Sequence, residues 1–287
     1  LPDPRGVVFF LHGNAGNLES WFVNADFYRR ANFDLVMLDY RGYGKSSGRI
    51  ASEEQLHGDV SAVWQQVAPR YAGKRIVFYG RSLHKYDGAS MHHIDPYFGP
   101  DPQGDLALMA KETSDPKSWH WTAADKLFLK LLDEAHARGI RVIIDGVFNH
   151  SGRDFFAFAD LRRRQEKSPY VDWYIVGHFD DPETPHSEFR YKGWWDNDTL
   201  PEFANNAAGD DLHAGPKQYV MDITARWMDP DGDGDPGDGV DGWRLDVAEE
   251  VPLPFWKDWN AEVRRLNPAA YTVAEVKSGT VLRVDAD

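Results

Sequence analysis

Three short runs near the N-terminus, residues 7–11, 35–38 and 75–79, are apolar almost throughout and rich in Val, Leu, Ile and Phe. A strand that faces water on one side alternates apolar with polar residues, whereas a continuous apolar run is buried on both faces, the habit of parallel sheets covered by helices. Helical patterns lie between the runs, over residues 18–30 and 52–71. The second opens on Ser52 as N-cap and repeats apolar residues at Leu56, Val60, Val63 and Val67, which gives it one buried face. The spacing predicts a β-α-β-α-β unit.

Past residue 84 the texture changes to long, aromatic, Pro- and Gly-rich loops. Helices are predicted over 123–138, 217–228 and 254–266, with strands over 141–144, 240–245 and 271–274. Thr122 is placed to cap the first of these helices, Asp125 sits in its first turn, and Gly139 suits a left-handed stop. Residues 151–214 are too long for an ordinary connection and read as an inserted subdomain or lid. The expected fold class is α/β, with about six mostly parallel strands, three from each part, and domains at 1–83 and 84–287. Closure into a barrel and an open twisted sheet are both compatible with this pattern, and an open edge would favour self-association into a homo-oligomer.

Charge divides the chain at the same place. Residues 1–83 hold 10 Lys and Arg against 8 Asp and Glu, while residues 84–287 hold 22 against 38, for a total of −14. A surface so acidic repels phosphate backbones and anionic headgroups, so nucleic acid and membrane are disfavoured as partners and neutral sugars are favoured. The chain has no cysteine, which excludes disulfides, thiolate metal sites and cysteine nucleophiles. The run at 7–11 is too short for a signal-peptide core or a membrane span, and Leu1 is not an initiator, which is compatible with a processed or truncated start. Location is undetermined.

The run at 75–79 leads into Gly80-Arg81-Ser82-Leu83. A serine on a sharp strand-to-helix turn projects its hydroxyl above the sheet, next to a backbone N–H that can hold an oxyanion. Together with Leu11-His12-Gly13-Asn14-Ala15-Gly16-Asn17 and Asp39-Tyr40-Arg41-Gly42-Tyr43-Gly44, this part resembles the centre of an α/β-hydrolase over about residues 5–83. His84 stands where a small flanking residue is expected, and Lys85-Tyr86-Asp87-Gly88 replaces the following helix. A serine without its base is a weak nucleophile. Ser82 therefore has two readings, a serine esterase nucleophile and an inert turn residue.

Three later strand ends carry polar clusters: Asp145-Gly146-Val147-Phe148-Asn149-His150, Asp241-Gly242-Trp243-Arg244-Leu245-Asp246, and Glu275. In a β/α barrel, the C-terminal strand ends face one pocket. Period-two alternation puts Arg244 and Asp246 on the same side, where the guanidinium is expected to keep the carboxylate ionised. Carboxyl groups on neighbouring strands about 5–5.5 Å apart have the spacing of a retaining glycosidase.

At these residues the chain resembles the α-amylase family, most closely its neopullulanase and cyclomaltodextrinase-like branch. The segments that carry the likeness are His84-Lys85-Tyr86-Asp87-Gly88-Ala89-Ser90, His93-Ile94-Asp95-Pro96-Tyr97-Phe98-Gly99, the clusters at Asp145 and Gly242, and Val273-Ala274-Glu275-Val276. The resemblance implies a partial (β/α)8 barrel and retaining hydrolysis of α-1,4-glucans or cyclodextrins, with maltooligosaccharide or cyclodextrin as partner. It implies Asp246 as nucleophile, Glu275 as acid/base, Arg244 as its partner, His150 and Tyr86 as sugar contacts, and Asp145 as a nearby structural carboxylate. It also implies a third carboxylate on a late strand and a tryptophan after Glu275, where this chain has Lys277-Ser278-Gly279. Joined to the α/β-hydrolase-like piece, the whole reads as a chimera: a glycosidase by ancestry, or a recombined or engineered scaffold without turnover.

Two further features bear on ligands. The Asp/Gly loop at 229–238 suits a hard cation such as calcium, with Asp229, Asp231, Asp233 and Asp235 as candidate ligands, against the competing role of a solvated acidic turn. Trp119, Trp121, Trp173, Trp194 and Trp195 are candidate stacking platforms for sugar rings, against the competing role of core aromatics.

Overall fold

The computed structural model describes residues 1–11, 18, 25–50, 53–80, 88–181 and 183–276. It divides into two compact units, residues 1–85 with 138–140, and residues 86–137 with 141–287. Ser52 and Ser82 lie outside the described residues.

The first unit holds strand β1 (Gly6–Leu11), helix α1 (Ala25–Arg30), strand β2 (Phe33–Leu38), helix α2 (Glu53–Val67) and strand β3 (Arg75–Gly80). The strands are parallel in the order β2-β1-β3, with Gly6 opposite both Phe33 and Arg75. Both faces of the central strand are covered: Val7, Val8, Phe9 and Phe10 are all buried, as a continuous apolar run requires. Phe9 meets Trp64 of α2 edge to face at 5.3 Å. The predicted 52–71 helix ends in a tighter 3-10 turn, Ala68–Tyr71, where Pro69 enters.

The second unit runs through α3 (Pro102–Met109), α4 (Ala123–His136), β4 (Ile143–Gly146), α5 (Phe156–Arg164), β5 (Val176–His178), β6 (Arg190–Tyr191), α6 (Ala214–Met228), β7 (Gly242–Leu245), α7 (Leu253–Leu266) and β8 (Tyr271–Ala274). Strands β4, β7 and β8 form a parallel sheet in the order β4-β7-β8, so the α/β, mostly parallel class holds in both units. Strands β5 and β6 form an antiparallel ribbon. Among the described residues, no helix is long and apolar enough to cross a membrane.

The predicted strand 141–144 is displaced towards its C-terminus. Val142 is occupied by Asp241, whose carboxylate accepts from Val142 N at 2.7 Å, while Arg141 donates to the Ala269 carbonyl. Three elements, α3, α5 and the β5–β6 ribbon, are absent from the sequence reading. Helix α5 ends in Arg162, Arg163 and Arg164 and has no side-chain N-cap, so neither its periodicity nor its start is marked.

The core of this unit is aromatic. Helix α7 buries Phe255, Trp256, Trp259 and Val263, and α6 buries Tyr219, Val220, Ile223 and Trp227, each on a stripe of i, i+4 spacing. Trp256 and Trp259 pack edge to face at 5.6 Å, an arrangement worth about 0.5–1.5 kcal/mol beyond area burial. Their polar edges are satisfied: Trp256 donates to the Ala248 carbonyl and Trp259 to Thr224 Oγ1, each at 2.8 Å.

Thr122 and Asp125 cap α4 reciprocally. Asp125 also faces His93 Nδ1 at 2.7 Å and accepts from Ile94 N and Arg226. Beside it, His92 contacts Glu112 and the Tyr219 hydroxyl, and burial pushes its imidazole down to about 4. This buried polar network ties the 92–94 segment to α4 and α6.

Gly242 pairs with Tyr271 across the β7–β8 ladder, with φ of 155°, and a Cβ there would collide with the Tyr271 carbonyl oxygen. Gly242→Ala is therefore expected to destabilise the protein by about 3 kcal/mol or more. Urea unfolding checks this, and a loss below about 0.5 kcal/mol, the size of a neutral surface change, would show that the strand pair accommodates a methyl group.

Candidate active site

All three strands of the β4-β7-β8 sheet end at one edge, because they are parallel. Asp145 on β4 stands opposite Arg244 on β7, and Leu245 stands opposite Ala274 on β8. The backbone continues that register one residue further, since Asp246 N donates to the Gly146 carbonyl at 3.0 Å and Glu275 N to the Leu245 carbonyl at 2.8 Å. Asp246 and Glu275 are thus neighbours at the sheet end.

The side chains meet on one cation. Arg244 Nη1 donates to Asp145 Oδ1 at 2.8 Å and to Asp246 Oδ1 at 2.5 Å, and Nη2 lies 2.5 Å from Glu275 Oε2. Asp246 is buried, while the side chains of Asp145 and Glu275 remain 38% and 39% exposed, so the cluster opens to solvent on those two sides. Burial alone would lower the Arg244 pKa, but the carboxylates of Asp145, Asp246 and Glu275 outweigh it and hold the guanidinium above its ordinary range.

For Asp246 the outcome differs from the sequence expectation. Burial raises its carboxyl most, Arg244 lowers it, and Asp145 together with a hydrogen bond from Glu275 raises it again, so that it is pushed up to about 7. Three carboxylates around one guanidinium carry a surplus of negative charge, which disfavours ionisation of the buried Asp246. Arg244 orients Asp246 but does not by itself fix it as the ionised member. The next residue, Val247, is in the left-handed region at φ 39°, an unusual and strained conformation for a β-branched side chain.

His150, on the loop after β4, is buried, lies 3.3 Å from the Asn149 side-chain nitrogen, and stacks on Trp194 at 5.4 Å between ring centroids. Its loop is clamped by Ser151 N on the Pro201 carbonyl and Phe203 N on the Asn149 carbonyl, each at 3.0 Å. The structure thus brings Asp145, Arg244, Asp246 and Glu275 into contact and sets His150 on the loop four residues beyond Gly146. Tyr86 and Ser82 lie outside the described residues.

In the acidic loop, carboxylate oxygens of Asp229, Asp231 and Asp238 lie within 4.8 Å of one another. All five carboxylates of the loop accept from its backbone: Asp229 from Gly234 N, Asp231 from Asp233 N, Asp238 from Asp231 N, Asp233 from Asp235 N and Asp235 from Gly237 N, closing local turns. The converging set shares Asp229 and Asp231 with the sequence candidates and adds Asp238, a residue the alternating pattern does not single out. Oδ1 of Asp229 and Oδ1 of Asp238 are buried with no hydrogen-bond partner among the described residues. The Asp238 carboxyl is raised by burial first and then by Asp231.

Comparison with known proteins agrees with this geometry. The model of the alpha amylase catalytic domain matches residues 122–284, and that of a serine aminopeptidase family of α/β-hydrolases matches residues 2–83. Neopullulanase 2 of Thermoactinomyces vulgaris is 34% identical over 201 residues, which is 70% of this chain and 28% of that protein. A cyclomaltodextrinase of a Bacillus species is 31% identical over 215 residues, 74% of this chain and 31% of the relative. The chain therefore spans less than a third of the length of these two relatives. Among solved structures, the native debranching enzyme of Nostoc punctiforme superposes with a TM-score of 0.54 at 25% identity, over 94% of this chain and 47% of its own. The ligand-free cyclic α-maltosyl-(1→6)-maltose hydrolase of Arthrobacter globiformis gives 0.52 at 26% identity, over 76% and 41%. With its catalytic-domain match running over more than half of its length and its carboxylates gathered at the ends of parallel strands, the chain belongs to the α-amylase family.

Proposed function

We propose that this protein is a retaining glycosidase site acting on α-1,4-linked glucans or cyclodextrins. The observation that carries the reading is the Asp246 and Glu275 pair, set on adjacent strands and held by one guanidinium. Asp246 attacks the anomeric carbon and forms a glycosyl ester while Glu275 protonates the departing oxygen. Glu275 then takes a proton from water as the ester is hydrolysed. Asp145 holds Arg244 from the other side, and His150 lines the sugar-binding edge. The names of the relatives support the substrate class.

One observation favours a second reading, a chimeric scaffold that binds oligosaccharide without turning it over: Asp246, the required anion, sits where its carboxyl is raised to about 7. The two family matches over separate stretches support the chimera itself. Activity discriminates between the readings. Asp246→Asn and Glu275→Gln are each expected to reduce reducing-sugar release from β-cyclodextrin by about a thousandfold, within the range for loss of one acid–base or nucleophilic group. In the wild type the rate is expected to rise with pH through about 7 as Asp246 ionises, whereas stability contributed by its retained proton is present at low pH and lost between 3.8 and about 7. Turnover that survives both substitutions, or none in the wild type from pH 5 to 9, a range of about two units either side of that pKa, removes the glycosidase reading.

We also propose a calcium ion held by Asp229, Asp231 and Asp238, supported by the two buried, unpartnered carboxylate oxygens. A divalent cation offsets their mutual repulsion and fastens the start and end of the loop between α6 and β7. Millimolar calcium is expected to raise Tm by several degrees in the wild type and by less than one degree in Asp238→Asn. An equal shift in both proteins contradicts the assignment.

A further inference from the structure

We propose that Val247 is a positioning residue for the Asp246 carboxylate: a one-residue bulge, held in the left-handed region, that turns the chain out of the sheet directly after the nucleophile. This role deepens the glycosidase reading above and rests on it. The bulge shows in the hydrogen bonds. In a regular parallel pair, a residue donates to the residue before its partner and accepts from the residue after it. Leu245 stands opposite Ala274, which makes Asp246 the partner of Glu275. Glu275 N donates to the Leu245 carbonyl at 2.8 Å, as the pattern requires, but the Glu275 carbonyl accepts from Ala248 N at 3.1 Å, one residue later than the pattern requires. Asp246 and Val247 together therefore face Glu275, two residues against one, which is the definition of a bulge.

The turn is pinned to three elements. Asp246 N donates to the Gly146 carbonyl of β4 at 3.0 Å, Ala248 N to the Glu275 carbonyl just past β8, and Trp256 of α7 donates to the Ala248 carbonyl at 2.8 Å. Glu250 N closes on the Val247 carbonyl at 2.9 Å, so a 3-10 turn over Ala248–Glu250 begins at once and the chain does not run on past the carboxylate cluster. The backbone of Glu275 is thus gripped from both sides by the turn that carries Asp246, donating to Leu245 and accepting from Ala248. Any movement at Val247 shifts the two carboxyl groups relative to each other.

The residue at the bulge is the unusual part. Val247 has φ 39° and ψ 46°, a conformation in which glycine or asparagine is at ease and a β-branched side chain is strained. Glycine would relieve that strain, but it would also open a wide range of φ and ψ that is closed to valine. Valine, once imposed on the small left-handed well by the surrounding hydrogen bonds, has little room to leave it. Strain kept beside a reacting group is the pattern of a site that holds its geometry in advance. A nucleophile needs this, since a displacement of about 1 Å can cost on the order of a hundredfold in rate.

Steady-state kinetics on β-cyclodextrin and thermal unfolding of the wild type, Val247→Gly and Val247→Asn test this. Val247→Gly is expected to lower kcat about tenfold or more while KM stays within about threefold, because only the geometry of attack is loosened. Val247→Asn accepts the left-handed well and stays confined to it, so its kcat is expected to remain within about threefold of the wild type. Tm of both variants is expected to stay close to that of the wild type, since relief of strain offsets the contacts the valine side chain gives up. The proposal is overturned if Val247→Gly keeps the wild-type kcat, whatever its Tm, because a residue that only supports the fold behaves that way. It is equally overturned if KM rises in step with the loss of kcat, or if asparagine loses as much as glycine. A wild type without turnover removes the glycosidase reading and this role together, whereas an active wild type with an unaffected Val247→Gly removes this role alone.

Discussion

One guanidinium joins the ends of three strands. Arg244 reaches Asp145 on β4, Asp246 just past its own strand β7, and Glu275 just past β8. The cluster is a statement about register as much as about charge. Side chains alternate across a strand with period two, so a slip of one residue in either pairing would turn a carboxylate to the opposite face of the sheet. Removing the arginine would leave three acids around a vacant centre, a costly arrangement when one of them is buried.

The opposite end of the same strands carries a second polar tie. Asp241 accepts from Val142 N at 2.7 Å, pairs with His136 at 2.9 Å and Arg141 at 3.3 Å, and passes its own carbonyl to Tyr271 N at 2.8 Å. Directly after it, Gly242 lets the β8 backbone approach without obstruction. The sheet is therefore fastened by Asp241 before β7 begins and by Arg244 where it ends, with Trp243 packed between them against Phe148 and Trp259. The carboxylate cluster sits at the end where Asp145 and Glu275 stay partly open to solvent, and the tie at Asp241 holds the register at the other.

Much of this was legible in the residues because strand chemistry is local. The apolar runs around residues 7–11, 35–38 and 271–274 mark β1, β2 and β8 directly, and Thr122 with Asp125 marks the start of α4. The catalytic candidates stand at strand ends, where the sequence changes from apolar to acidic over two or three residues. What was hidden depends on partners remote in the chain. The sharing of Asp125 among His93, Ile94 and Arg226 spans up to 101 positions, and no periodicity announces it. The upward shift of Asp246 is not legible in the sequence, which shows its neighbour Arg244 but not how deeply the carboxyl is buried, nor that Asp145 and Glu275 crowd it. The place of Asp238 is hidden for a similar reason: alternating spacing in a loop says nothing of which carboxylate oxygens converge.

The central claim is that Asp246 is the group that bonds to the sugar. Incubation with a fluorinated α-glucosyl fluoride, which forms the glycosyl ester but hydrolyses it slowly, followed by mass spectrometry of the proteolysed protein, tests it directly. The account predicts one glucosyl adduct on the peptide containing Asp246 and none in Asp246→Asn; an adduct on any other residue, or an unmodified protein after complete consumption of the fluoride, would contradict it.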